Sequence, residues 1–148
     1  MNFGEDLSLQ VMQVHRAYQQ YLSGLLKKID VQQHYHILLL LNRMGGTATQ
    51  KTLCSELRIE KPNMVAIIDM MLQKGYVTRE VDHKDKRSKS IALTPKADQI
   101  VDQISQSLTE LEADITEDLT WQELYNCLYV LNKVNDKFKT ISGLPPTS

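Results

Sequence analysis

The side chains best placed to do chemistry in this sequence are cations rather than nucleophiles. Lys84, Lys86, Arg87 and Lys89 fall within six positions, with Asp85 among them. Ammonium and guanidinium groups gathered in this way suit a polyanion, since they bind phosphate oxygens through charge-assisted hydrogen bonds. Taken alone, the same stretch reads more readily as the solvated tip of a loop. A second group lies upstream, with Thr49, Gln50 and Lys51 followed by Lys61, Asn63, Met64 and Ala66. Asn63 can make paired hydrogen bonds to an adenine edge, and Met64 or Ala66 can touch a thymine methyl. As a helix-start residue, Asn63 can also make only local bonds. Thr49, Gln50 and Lys51 suit phosphate contact through the free N–H groups of a helix start.

Chemistry of the catalytic kind has no comparable signature. The sequence holds no nucleophile elbow, phosphate-binding glycine loop, HExxH or paired CxxC, and no enzyme is expected. His34 and His36 stand about 200° apart on a helix, so they are not a chelating pair and no metal or cofactor is expected. Cys54 and Cys127 have apolar neighbours in the pattern and read as buried, inert thiols.

The elements that must carry these residues follow from periodicity. Leu7, Val11, Val14, Tyr18, Leu22, Leu25 and Ile29 step by threes and fours, which predicts one long helix over about 5–29. A second helix is expected over about 31–44, N-capped by Asp30 and buried through Leu38 to Leu41, with Gly45-Gly46 as its stop. A short helix over 49–57, a turn over 58–61 and a helix to about 74, with Pro62 in its opening turn, read as a helix-turn-helix. After Gly75 the period becomes two over 76–81 and 90–94, predicting a hairpin whose long loop is the basic stretch 82–89. Thr94-Pro95 then opens a helix to about 115. Thr120 and Glu123 form a capping box for a last helix carrying Leu124, Leu128, Leu131, Val134, Phe138 and Ile141 on one stripe.

Charge follows the same division. The net charge of the 148 residues is −1, which as a total argues against a nucleic-acid partner. By segment it is 0 over 1–42, +5 over 43–96 and −6 over 97–148. The middle is therefore suited to an anion. With 42% hydrophobic and 24% charged residues, disordered and fibrous classes are excluded. The longest apolar run is the five residues from Ile37 to Leu41, far short of the roughly 18 to 20 that cross a bilayer. No signal peptide is read at the start, so a cytoplasmic location is expected.

The stretch Asp85-Lys86-Arg87-Ser88-Lys89-Ser90-Ile91-Ala92-Leu93-Thr94-Pro95-Lys96 closely resembles the D-x-R…L-T-x-K-G wing signature of the MarR family of transcriptional regulators. Leu57 and Ile59 look like that family's turn, and Asp69 with Gly75 like the end of its recognition helix. Ala97 stands where the family usually has Gly. The resemblance implies a mainly α fold with a small β-hairpin wing, a winged helix-turn-helix over 31–95 flanked by dimerisation helices over 1–30 and 96–148. It implies a homodimer on a pseudo-palindromic operator, with Arg87 in the minor groove, Asp85 holding the loop, and Lys84, Lys86 and Lys89 on phosphates. With no Arg in the recognition helix to read guanine, an A·T-rich operator is expected. Many of the family's members respond to small phenolic or lipophilic ligands. His15, Tyr18, Tyr21, His34, Tyr35 and His36 are the expected lining of such an effector pocket, although such rings also serve as core or rim residues. The expected function is a sequence-specific repressor released by a small effector. A winged-helix protein-interaction module and a cysteine-based redox regulator are the alternatives.

Overall fold

The computed structural model describes residues 1–81 and 88–141. Its element order is α1 Phe3–Tyr21, α2 Ser23–Ile29, α3 Tyr35–Arg43, β1 Thr47–Thr49, α4 Gln50–Leu57, α5 Lys61–Gln73, β2 Val77–Val81, β3 Lys89–Leu93, α6 Pro95–Ile115 and α7 Trp121–Phe138. At two of the helix starts that capping chemistry marks in the sequence, Thr94 and Thr120, the helix begins there. The Thr94 hydroxyl accepts the Ala97 N–H ahead of Pro95. Thr120 and Glu123 exchange side-chain to backbone hydrogen bonds at 3.1 and 2.9 Å, satisfying donors that the first turn leaves free.

The N-terminal arm departs from expectation. The helix predicted over 5–29 is broken at Leu22, so the apolar stripe runs across two helices, α1 and α2. Asp30 does not cap a following helix. It closes α2 in the left-handed region, φ 55°, and its carboxylate pairs with Lys74. Residues 31–34 form turns, and α3 starts only at Tyr35.

The hairpin gains a third strand that sequence reading missed. β1 pairs antiparallel with β3, and β3 with β2, in the order β1-β3-β2. Gly45 and Gly46, at φ 85° and 97°, turn the chain from α3 into β1, a conformation closed to most residues with a Cβ. Gly46 receives the Leu93 N–H on its carbonyl at 2.8 Å, which ties that turn to β3.

One core joins the arm to the winged body. Leu22, Leu26 and Ile29 of α2, Ile37, Leu38 and Leu41 of α3, Leu53 of α4, Met64, Ile68 and Met71 of α5, Ile91 of β3, and Ala97, Val101 and Ile104 of α6 are buried together. Each large aliphatic side chain removed from water contributes roughly 1.5–3 kcal/mol, so this cluster dominates the stabilisation of the fold. Neither α1 nor α7 buries a residue within the chain. Their stripes stay open, with Val11, Val14, Trp121, Tyr125, Leu128 and Tyr129 all exposed. Among the described residues no helix is long and apolar enough to cross a membrane.

Candidate nucleic-acid interface

The local sequence sets the helix-turn-helix. Thr49 caps α4 by accepting the Thr52 N–H at 3.1 Å. Arg58 ends α4 in the left-handed region, φ 53°, and the Ile59 N–H returns to the Cys54 carbonyl. Pro62 sits in the first turn of α5, where its missing N–H costs nothing.

On α5, Met64, Ile67, Ile68 and Met71 form the inward face. Lys61, Asn63, Ala66 and Asp69 lie on the exposed side. Lys51 is exposed at the start of α4, and Thr49 beside it is half-buried with its hydroxyl engaged in the cap. Lys89 is exposed on β3. Lys84, Asp85, Lys86 and Arg87 lie outside the described residues.

Two sequence expectations are corrected. Met64 cannot reach a base edge because it is fully buried, with 0% of its surface exposed. It lies three and four positions before Ile67 and Ile68, on the helix face that packs into the core. Gln50 is only 7% exposed, so its side chain is not available to a phosphate and any contact there is left to the backbone N–H groups of the helix start. Its Oε1 finds no hydrogen-bond partner among the described residues.

Nothing in the sequence pattern marks the contacts that hold α5 in place. Arg79 of β2 donates to Asp69 of α5 at 2.7 Å, linking strand and helix. Just beyond the C-terminal end of α5, Lys74 pairs with Asp30, and the Tyr76 hydroxyl donates to the Ile29 carbonyl at 2.8 Å. Lys96 donates to the Lys74 carbonyl, and Thr94 to that of Gly75. The end of the recognition helix is thereby tied to both α2 and α6.

The six rings expected around an effector do not form one lining. Tyr35 is buried in the core, and burial raises its pKa, with the Tyr18 charge adding to it. Its ring lies 4.1 Å from that of His36, which is 5.8 Å from that of His15. Burial pushes His36 below its ordinary value and the neighbouring His15 adds to the push, while burial alone lowers His34. Tyr21 is exposed. A groove of about 600 Å³ beside this cluster is lined by His15, Arg16, Gln19, Gln20, Ser23 and Gln33. Only His15 of the expected set contributes to it, and the polar walls suit a hydrogen-bonding ligand better than a lipophilic one.

The cysteines differ from each other. Cys54 is buried, and desolvation pushes its thiol up against a weaker opposing pull from the Lys61 charge. Cys127 is exposed, which corrects its reading as a buried thiol, because α7 has no covering element within the chain. Among the described residues no three His, Cys, Asp or Glu side chains are grouped to hold a metal ion.

Comparison with known proteins agrees with this geometry. Residues 29–88, the segment from the end of α2 into the wing, match the model of the MarR family. A variant of MarR from E. coli, solved in complex with operator DNA, is similar over 90% of this chain and 98% of its own, with 25% identity and a TM-score of 0.72. A MarR transcriptional regulator from Methanosarcina mazei Go1 is similar over 90% and 99%, with 22% identity and a TM-score of 0.80. An organohalide-sensing transcriptional regulator in its 2,4-dichlorophenol-bound form is similar over 93% and 82%, with 21% identity and a TM-score of 0.73. The segment of the helix-turn-helix thus matches the MarR family model, and the fold along nearly the whole chain is similar to that of MarR transcriptional regulators.

Proposed function

We propose that this chain is a cytoplasmic, sequence-specific repressor that binds DNA as a homodimer. The observation that carries the reading is the exposure of Lys61, Asn63 and Ala66 in the first half of α5, beside the exposed Lys51 at the start of α4. Side chains at the start of a recognition helix are those that enter a major groove, while cations at a preceding helix start meet the flanking phosphates. The sheet leads from β2 into the basic segment that holds Arg87, which the reading assigns to the minor groove. The similar E. coli protein was solved on operator DNA, which supports the same assignment.

The open apolar faces of α1 and α7 support dimerisation. Two self-complementary patches meeting about a two-fold axis would bury them, and the two α5 helices would then meet half-sites about one helical turn apart. With Asn63 as the main reader and no Arg on the exposed start of α5, the operator is A·T-rich. A small effector, held in the polar groove between α1 and the 31–34 turn, changes the separation of the winged bodies and releases the DNA.

Selection of bound fragments from random duplex DNA tests the proposal. A two-fold symmetric, A·T-rich motif with half-sites about one turn apart is expected. Recovery of unselected sequence, together with binding insensitive to salt, would support a protein-interaction module instead.

A further inference from the structure

We infer that Arg58 is a positioning residue: its side chain clasps the last turn of α7 and so sets the angle between the winged body and the dimerisation arm. The inference rests on the proposed role of α7 as part of a dimer interface. An Arg at the turn of a helix-turn-helix would ordinarily be counted among the phosphate contacts. Here its guanidinium is engaged elsewhere. Nη2 donates to the Asn135 carbonyl at 3.0 Å, and the guanidinium carbon lies 5.8 Å from the centre of the Phe138 ring.

Three features make the clasp specific. Asn135 lies within the last four residues of α7, whose carbonyls have no partner within the helix. The Lys139 N–H that would ordinarily reach it turns instead to Asp136 and Lys137. A cation at that end also meets the negative pole of the helix dipole, and the Phe138 face attracts the same charge. Finally, Arg58 occupies φ 53°, a left-handed conformation that Gly or Asn adopts more readily.

Among the described residues, this is the one side-chain hydrogen bond between α7 and the winged body. α7 buries no residue in its own chain, so little else fixes its far end. Any shift of α7 against a partner subunit is therefore transmitted to the turn between α4 and α5, four residues from Pro62 and the reading face of α5.

The decisive variant is Arg58→Gly, since glycine suits the left-handed turn and preserves it without the side chain. Arg58→Lys restores a cation able to reach the carbonyl. Two readings are taken on the full-length protein: amide hydrogen exchange over residues 135–140, and the distance distribution between spin labels on Lys61→Cys of the two subunits in a Cys127→Ser background. In Arg58→Gly, exchange in the last turn of α7 should accelerate about 5-fold or more and the distance distribution should broaden. Arg58→Lys should recover part of both. Wild-type exchange in Arg58→Gly overturns the clasp. Faster exchange with an unchanged distribution overturns its positioning role. A wild-type protein that is monomeric overturns the dimer reading, and with it the positioning role, while the exchange measurement still decides whether the clasp exists.

Discussion

Met64 and Asn63 are adjacent, and the structure assigns them opposite duties, so substituting each by alanine separates fold from recognition. Met64 is fully buried among the core side chains of α5 and its neighbours. Met64→Ala removes the side chain beyond Cβ from a close-packed site and should cost about 2–5 kcal/mol, the range for such truncations when the cavity only partly collapses. Asn63 is exposed one position earlier. Its replacement should change stability by no more than about 0.5 kcal/mol. On DNA the order reverses. Losing a paired hydrogen bond to adenine should weaken operator binding by about 1–3 kcal/mol. Urea unfolding followed by circular dichroism gives the first quantity, with all variants at one protein concentration because a dimer's apparent stability depends on it. Fluorescence anisotropy on the selected operator gives the second. The reasoning fails if Met64→Ala unfolds within 1 kcal/mol of wild type, or if Asn63→Ala binds operator as tightly as wild type.

Three further outcomes are expected. Tyr76→Phe removes the hydroxyl that donates to the Ile29 carbonyl and leaves a buried acceptor unpaired; urea unfolding should show a loss of about 1–3 kcal/mol, and a loss below 0.5 kcal/mol would show that water replaces the bond. His36 and His34 both titrate below their ordinary value in the folded chain. The unfolded chain therefore binds more protons near pH 6, and stability should fall as pH drops through about 6.5 and below. The groups facing His36 are His15 and the Tyr35 ring, and His36→Gln should flatten the pH profile measured by thermal unfolding. Arg87→Ala should weaken duplex binding by about 10-fold or more and reduce the salt slope by about one counterion per subunit; an unchanged slope in a gel-shift titration removes Arg87 from the DNA contacts.

Local chemistry was legible in the sequence where a side chain bonds its own backbone. Thr94 and Thr120 cap the helices that follow them, and Pro62 and Pro95 sit in first turns. Such bonds span three residues and depend on nothing distant. What escaped was set by tertiary partners. The left-handed Asp30 pairs with Lys74, and Tyr76 reaches Ile29 beside it, forty-odd residues away in sequence, while Leu22, where the helix breaks, is buried in the core. β1 is three residues long and exists because β3 offers it a free edge, so no period-two pattern was there to read. Helical periodicity placed the inward face of α5 only approximately. Whether Met64 or Ala66 faces outward differs by two residues, about 200° of rotation. The ring cluster failed as a pocket for a related reason, since Tyr35 is drawn into the core by its neighbours Ile37 and Leu38.

If the exposed start of α5, the start of α4 and the wing together form a DNA-binding face, local positive charge must outweigh a net charge of −1. The most direct measurement is the affinity of the full-length protein for its selected duplex as salt rises from about 50 to 200 mM. Lys51, Lys61 and Lys89 on two subunits would by themselves neutralise about six phosphates, for a log–log slope of about −5 or steeper and a loss of about 1,000-fold or more in affinity over that range. A slope near zero, with no sequence preferred over random duplex, would contradict the account.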